Sequence, residues 1–367
     1  MVGKLDGITK LLPDKDFFLF MFVKKDAAYS SQIEGTKATL QDAIAAPVTE
    51  KKYRLSPDVD DIVHYVNAVN YGIERTKTLP ISLRMIKELH QRLMIGARAT
   101  QHVYPGDFRH SQNWIGGKTP TDASFVPPAV HDMNKSLDDL EKFVHREDEY
   151  PSLIKAGLLH AQFETIHPFS DGNGRTGRML IALYIHHAKL LELPVLYLSN
   201  YFKKHQKVYY QKLQSYHDEE ADIIGWLEFF LDGVAEIANS SINTCTKITE
   251  LRDRDFYKMQ KLGKKSAASS LEIVRKLYSQ PIVGVAEIMK WTGFTKAGAY
   301  RVIERLKSLK ILVVISFVVP DATQSSKTRT VALSLPARIS STKGFKCFLV
   351  ASSEFDLLIL LNCSLPS

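Results

Sequence analysis

Twelve residues, His167 to Arg178 (HPFSDGNGRTGR), constrain this 367-residue chain more than any other stretch. They set a histidine, a carboxylate, two glycines, an asparagine and two arginines between runs of apolar helical sequence, LIKAGLLHAQFETI before and TGRMLIALYI after. Gly172 and Gly174 allow backbone conformations closed to other residues, so successive N–H groups can face one anion. A helix beginning at Thr176 would add its unpaired first amides and their partial positive charge, which favours a phosphate chain. Arg175 and Arg178, about one turn apart on roughly one side, could clamp two phosphates. Each residue alone has an ordinary explanation: His-Pro marks a helix boundary, Gly-Asn-Gly a turn, and a helix-end arginine a solvated charge. The ordered set of twelve does not.

The motif resembles the Fic signature, in which a histidine, Pro-Phe, an acid and Gly-Asn-Gly-Arg precede a second arginine; every signature position is met here. The resemblance implies a mainly α fold, a Fic-type helical bundle with a short β-hairpin flap. It also implies transfer of AMP from ATP to a protein hydroxyl of Tyr, Thr or Ser, with release of pyrophosphate. By position, His167 would be the general base, a role suited to a side chain that is neutral near pH 7. Asp171 would hold Mg²⁺, a hard cation often bound through one carboxylate plus phosphate oxygens. The backbone of Gly172 to Gly174 and the Asn173 amide would neutralise charge at the α-phosphate, and Arg175 and Arg178 would take the outer phosphates. Thr176 and Gly177, between the arginines, complete the nucleotide-binding set. Pro168 and Phe169 read as structure, a rigid turn and a core anchor. A branch of the family with lysine at the first loop glycine acts as a kinase, so Gly172 favours AMP transfer.

A second motif lies upstream, where SSQIEG (Ser30 to Gly35) follows the apolar run FFLFMFV. Alone it reads as a helix ending at Gly35 with Glu34 as a surface acid. It also resembles the inhibitory helix of many Fic proteins, matched at Ser30, Glu34 and Gly35. Glu34 would then pair with Arg178, occupying the arginine and repelling the ATP γ-phosphate.

Between the motifs, Trp114 to Val130 reads as an exposed hairpin, since Pro127 and Pro128 are confined to edges or loops. The resemblance implies a flap there, with Ser124, Phe125 and Val126 pairing a target segment; a surface loop with a buried Phe125 is the plainer reading. Tyr104 to Arg109 resembles the family's Gly-x-x-Arg element, a structural brace. Tyr209 and Tyr210 fall where the family has tyrosines near adenine, though core packing explains tyrosines equally well. His160, seven residues before His167 and on a similar helical face, could share a metal with it, but with one nearby acid and no cysteine it reads as a structural or solvent-facing histidine; His186 and His187 have no ligand spacing for zinc.

The C-terminal third changes character. Lys261 to Ser270 (KLGKKSAASS) has linker composition. Helix, short helix, turn at Gly293 and longer helix then make a helix-turn-helix pattern, with β-type residues at Ile311–Val319 and Thr330–Leu333 as a wing. From Lys264 to Lys310 there are ten Lys or Arg against three acids, a basic surface that could meet DNA through Thr295, Lys296, Tyr300 and Arg301. Docking or dimerisation would use such a module equally. Residues 336–367 do not read like a winged-helix ending, and no role attaches to them.

The expected organisation is an N-terminal helical region at 1–100, a catalytic core at 101–240, a helical linker at 241–270, a small winged-helix (α+β) domain at 271–335 and a divergent tail. Three scattered cysteines, Cys245, Cys347 and Cys363, fit a reducing cytoplasm rather than a disulfide framework. No apolar run reaches about twenty residues, the length of a membrane span, and the N-terminus does not read as a signal peptide. Expected partners are a protein substrate, the chain itself by automodification, DNA through 271–335, and a second copy. The competing function is a DNA-binding regulator whose nucleotide site senses ATP or AMP.

Overall fold

The computed structural model describes residues 1–12, 15–40, 42, 56–95, 104–147, 150–218, 220–279, 282–315 and 347–349. In chain order these form α1 (Val2–Lys10), α2 (Lys15–Ile33), α3 (Pro57–Arg75), α4 (Leu83–Met94), α5 (Val130–His145), α6 (Ser152–Ile166), α7 (Asn173–His187), α8 (Ser199–Lys204), α9 (Gln206–His217), α10 (Ile223–Gln260), α11 (Lys264–Ser279), β1 (Ile282–Gly284), α12 (Val285–Thr292), α13 (Lys296–Ser308), β2 (Val313–Ile315) and β3 (Cys347–Leu349). The fold is mainly helical. Two compact units divide the chain: Met1–Leu11 with Phe18–Ile242, and the described residues of Leu12–Phe17 and from Asn243 onward.

Burial in the first unit centres on α6 and α7. Both are apolar around most of their circumference, so they sit inside the bundle rather than on it: Ala156, Leu159, Phe163 and Ile166 of α6 and Met179 to Ile185 of α7 are all buried. The indole of Trp226 in α10 is fully buried and donates to the Gly157 carbonyl at 2.9 Å. Helix α3 begins at a Ser56 cap that accepts from the Val59 N–H, with Pro57 in the first turn, where its missing N–H costs nothing. Its inner face is Ile62, Tyr65, Val69 and Ile73. A Cβ on Gly72 would stand 2.7 Å from Leu183, so glycine lets α3 lie against α7. Helix α4, capped by Ser82, buries Met85, Ile86, Leu89, Leu93 and also His90.

Helix α2 runs through the apolar FFLFMFV and ends as its sequence implies, with Gly35 at φ 92° just past the last turn. It carries polar groups inside: Asp26 and Ser30 are buried, and the Tyr65 hydroxyl donates to Asp26 Oδ2 at 2.6 Å, with the Ser199 N–H at 3.3 Å from Oδ1.

In the second unit the linker-like Lys261–Ser270 is mostly helical. The break is confined to Lys261–Gly263, and α11 begins at Lys264 because alanines and lysine favour helix and Ile273, Val274 and Leu277 supply a buried face. The long α10 is continuous across the boundary between units. Helices α12 and α13 meet at Gly293 (φ 68°), and Thr295 caps α13 by accepting from the Gly298 N–H. Ala299, Val302, Ile303 and Leu306 face inward, while Lys296 and Arg301 are exposed. A three-stranded antiparallel sheet in the order β1–β3–β2 accompanies them, with Ile282 and Val313 both opposite Leu349. Its central strand comes from the tail, where no strand was expected; the wing strand expected at Thr330–Leu333 lies outside the described residues, as do Cys363 and most of 336–367. Cys245 is buried and its thiol is pushed up to about 11 by desolvation. Among the described residues no helix is long and apolar enough to cross a membrane.

The buried Tyr65–Asp26 bond joins α2 to α3. Tyr65→Phe leaves a buried carboxyl short of a donor, so the urea midpoint should fall by the equivalent of about 1–3 kcal/mol; an unchanged midpoint would show that the bond contributes nothing.

Candidate active site

The loop between α6 and α7 is built from within. His167 caps α6 in the left-handed region (φ 49°, ψ 58°), uncommon for a residue with a Cβ, and this turns the chain back over the helix it ends. Asn173 then closes the loop on itself: its Oδ1 accepts from the Phe169 N–H and its Nδ2 donates to the Phe169 carbonyl, both at 2.8 Å. Gly172 takes φ 78°, and α7 begins at Asn173, three residues earlier than expected. Phe169 is fully buried as a core anchor.

Loop carbonyls are gathered by donors from outside. Arg109, 1% exposed, donates from Nε to the His167 carbonyl at 3.1 Å and from Nη1 to Ser111 at 3.2 Å, while Nη2 bonds the Pro128 carbonyl. Its backbone N–H donates to the Pro168 carbonyl at 2.8 Å. Asn113 adds a bond to the Phe169 carbonyl at 3.1 Å. The Tyr104–Arg109 element thus braces both the loop and the start and end of the segment that follows. Within that segment Ile115 and Phe125 form an isolated antiparallel bridge, and Asp122 accepts from the Lys118 and Thr119 amides. The Phe125 ring lies 4.1 Å from that of His217 in α9; Ser124 pairs its N–H with the Ile115 carbonyl, and Val126 is exposed.

His167 places Nδ1 3.3 Å from the Glu164 carbonyl, which can only accept, so Nδ1 carries the proton and Nε2 keeps its lone pair. Burial lowers the imidazole to about 4, so the ring is neutral at physiological pH. Glu164 lies below it, Oε2 3.8 Å from Nδ1, and burial raises its carboxyl to about 8.

The two motifs meet at Arg178, which is 3% exposed. Its Nε donates to Ser30 Oγ at 2.9 Å, and Nη2 donates to the Ser30 carbonyl at 3.0 Å and to Glu34 Oε1 at 2.6 Å. Burial would raise the Glu34 carboxyl, but attraction by Arg178, then Arg175, holds it below its ordinary value. A Cβ on Gly174 would collide with the Glu34 carboxylate and stand 2.9 Å from Arg178 Nη1. Gly174 is helical, so close approach, not an unusual turn, explains this glycine. Arg175 points elsewhere, with Nη2 3.7 Å from Asp171 Oδ1 and 3.6 Å from Met94 Sδ.

Several expected nucleotide contacts are differently employed. The Asn173 side-chain amide is spent on Phe169. Thr176 is fully buried, and Gly177 faces α6, where a Cβ would meet Glu164 Oε1 at 2.5 Å. Tyr209 is 1% exposed, bonded to His160 Nε2 at 2.9 Å and stacked on Phe202 at 4.4 Å, so its ring faces are taken. Tyr210 is 47% exposed, and its hydroxyl lies 3.4 Å from the Ile33 carbonyl beside the Glu34 turn. His186 bonds the Leu191 carbonyl. Residues that sequence reasoning passed over are His90, Asn113, Glu164 and His217; Glu164, three places before His167, and Asn113, four places after Arg109, had no spacing that marked them.

For a metal, Asp171 presents a half-exposed carboxylate whose Oδ1 accepts from the Gly172 N–H at 2.6 Å. Among the described residues no three His, Cys, Asp or Glu side chains converge on one ion. That donor set fits a hard cation held by one carboxylate and ligand phosphates, and does not fit a resident zinc.

Comparison with known proteins adds to this geometry. Residues 80–185 match the Fic/DOC family and residues 1–74 its N-terminal region, Fic/DOC family N-terminal. Protein adenylyltransferase Fic of Aedes aegypti is 30% identical over 177 residues, 47% of this chain and 31% of that protein. Its namesake from Drosophila grimshawi is 33% identical over 128 residues, 34% and 23% of the two chains. The alignments thus span less than a third of the length of these relatives. A Fic family protein from Desulfovibrio desulfuricans shares the fold at a TM-score of 0.54 and 19% identity, covering 92% of this chain and 96% of its own. A Fic domain containing signaling protein from Bacteroides thetaiotaomicron does so at 0.53 and 16%, covering 67% and 97%. With the N-terminal region and the domain matched in order, and the signature loop built as described, the chain is a member of the Fic/DOC family.

Proposed function

We propose that the chain transfers AMP from ATP to a hydroxyl of a protein side chain, and that Glu34 restrains it. The observation that carries this reading is the Glu34–Arg178 pair at 2.6 Å beside a neutral His167. The relatives' name supports the reaction. His167 Nε2, with Nδ1 tied to the Glu164 carbonyl, takes the proton of the attacking hydroxyl, and the imidazolium so formed lies near the Glu164 carboxyl. The loop amides around Gly172 and the start of α7 receive the phosphate chain. Asp171 would hold Mg²⁺, which when bound neutralises phosphate charge. Tyr210 rather than Tyr209 offers a ring to a base. The Ile115–Phe125 bridge and exposed Val126 are where a target backbone would pair. Glu34 and a terminal phosphate seek the same guanidinium, so the pair keeps ATP from its productive pose. The alternative, a DNA-binding sensor of adenine nucleotide, is not favoured: a sensor has no use for an oriented, neutral base.

Three outcomes are expected. With labelled ATP and Mg²⁺, Glu34→Gly should increase automodification over the parent; equal labelling would remove the restraint from the account. His167→Ala should cut transfer by roughly 10²–10⁴-fold, the usual worth of a general base, while ATP binding measured by calorimetry survives; lost binding would make His167 a structural residue. Because desolvation depresses His167 to about 4, the neutral form is lost only as pH falls through that value. Transfer by Glu34→Gly should therefore stay flat from pH 8 to 5.5, where a histidine of ordinary pKa would already have lost about tenfold.

A further inference from the structure

Outside the signature, one buried histidine has both ring nitrogens committed. His90, on α4 and 1% exposed, lies with Nδ1 3.0 Å from the Gly106 N–H and Nε2 3.0 Å from the Asp171 carbonyl. An amide N–H only donates and a carbonyl only accepts, so the arrangement admits a single form: neutral, with the proton on Nε2. The ring is stacked on Phe169 at 3.6 Å and 5°, which fixes its plane. One turn along α4, Met94 completes the wall: a Cβ at Gly172 would lie 2.8 Å from Met94 Sδ and 3.4 Å from His90 Nε2. The consequence follows from peptide geometry. In a planar trans peptide the carbonyl and the next N–H point oppositely, so holding the Asp171 carbonyl inward holds the Gly172 N–H outward, on the side of the Asp171 carboxylate.

We propose that His90 is a positioning residue for the loop: it ties the Gly106 turn to the Asp171 carbonyl and so sets the direction in which the Gly172 amide and the Asp171 carboxylate face a phosphate. The inference rests on the reading of that loop as the nucleotide site.

Two amide substitutions separate its bonds. The nitrogen of Gln falls near the position of Nε2 and can still donate to Asp171, whereas the shorter Asn reaches only the Gly106 side. In the Glu34→Gly background, His90→Gln should lose at most about threefold in transfer. His90→Asn should lose about a hundredfold, the scale of a misplacement near 1 Å, and should bind a fluorescent ATP analogue more weakly at a temperature where circular dichroism shows it folded. Equal effects of the two variants would reduce His90 to a filler of space and overturn the proposal. Independently of turnover, ¹⁵N NMR of histidine-labelled parent protein should show His90 protonated on Nε2 rather than Nδ1 at neutral pH. The other tautomer would overturn the proposal even if transfer is normal. Absence of transfer with the expected tautomer would instead count against the AMP-transfer reading alone.

Discussion

A guanidinium sealed inside a helical bundle must be given partners by the bundle, and the arrangement of the N-terminal half follows from that need at Arg178. Removing one partner from a buried ion pair typically costs about 3–5 kcal/mol, so the elements that supply partners are held strongly. Here all three come from α2 and the turn that follows it, 144 or more residues away in sequence: the Ser30 hydroxyl, the Ser30 carbonyl and the Glu34 carboxylate. Behind them Asp26 fastens α2 to Tyr65 of α3 and to the Ser199 amide. Local choices agree with this distant contact. Gly35 stops α2 one residue beyond Glu34, and Gly174 leaves room for the carboxylate to reach α7.

The same logic of satisfied backbone groups shapes the loop. The carbonyls of His167, Pro168, Phe169 and Asp171 accept, respectively, from Arg109, the Arg109 N–H, Asn113 with Asn173, and His90. Inward carbonyls and the helix start at Asn173 leave the first amides of α7 at the open side of the loop, while the Phe169 and Gly172 amides are taken by Asn173 and Asp171. The left-handed conformation of His167 belongs to this arrangement and accompanies an imidazole whose Nδ1 lies against the Glu164 carbonyl of α6.

How much of this was legible in the sequence depended on how far each side chain reaches. Residues that act within a few positions of themselves were readable: the loop's location, the positive φ of Gly172 and the end of α2 at Gly35. The distant pairing of Glu34 with Arg178 was readable only through a known motif, and the other residues whose partners lie in distant elements were not. Nothing local shows that Gly174 serves Glu34, that Gly177 serves Glu164, or that the Asn173 amide turns inward to Phe169. Helical spacing requires one of Tyr209 and Tyr210 to face the core but does not say which. His90 looks like one polar residue on an amphipathic helix, and only the approach of Gly106 and Asp171 gives its two nitrogens meaning. In the second unit, the linker-like composition of Lys261–Ser270 did not show where the helix breaks, because alanine, serine and lysine suit a joint and an exposed helix alike.

Two of the three bonds to Arg178 go to Ser30, and only one goes to Glu34. Glu34 also stands on the turn after α2, with its side chain 39% exposed, while Ser30 is fully enclosed. The cation is therefore held mainly from within α2, with the carboxylate as its partner at the rim. If a phosphate displaced Glu34 as proposed, the guanidinium would keep both of its bonds to Ser30 and so its orientation.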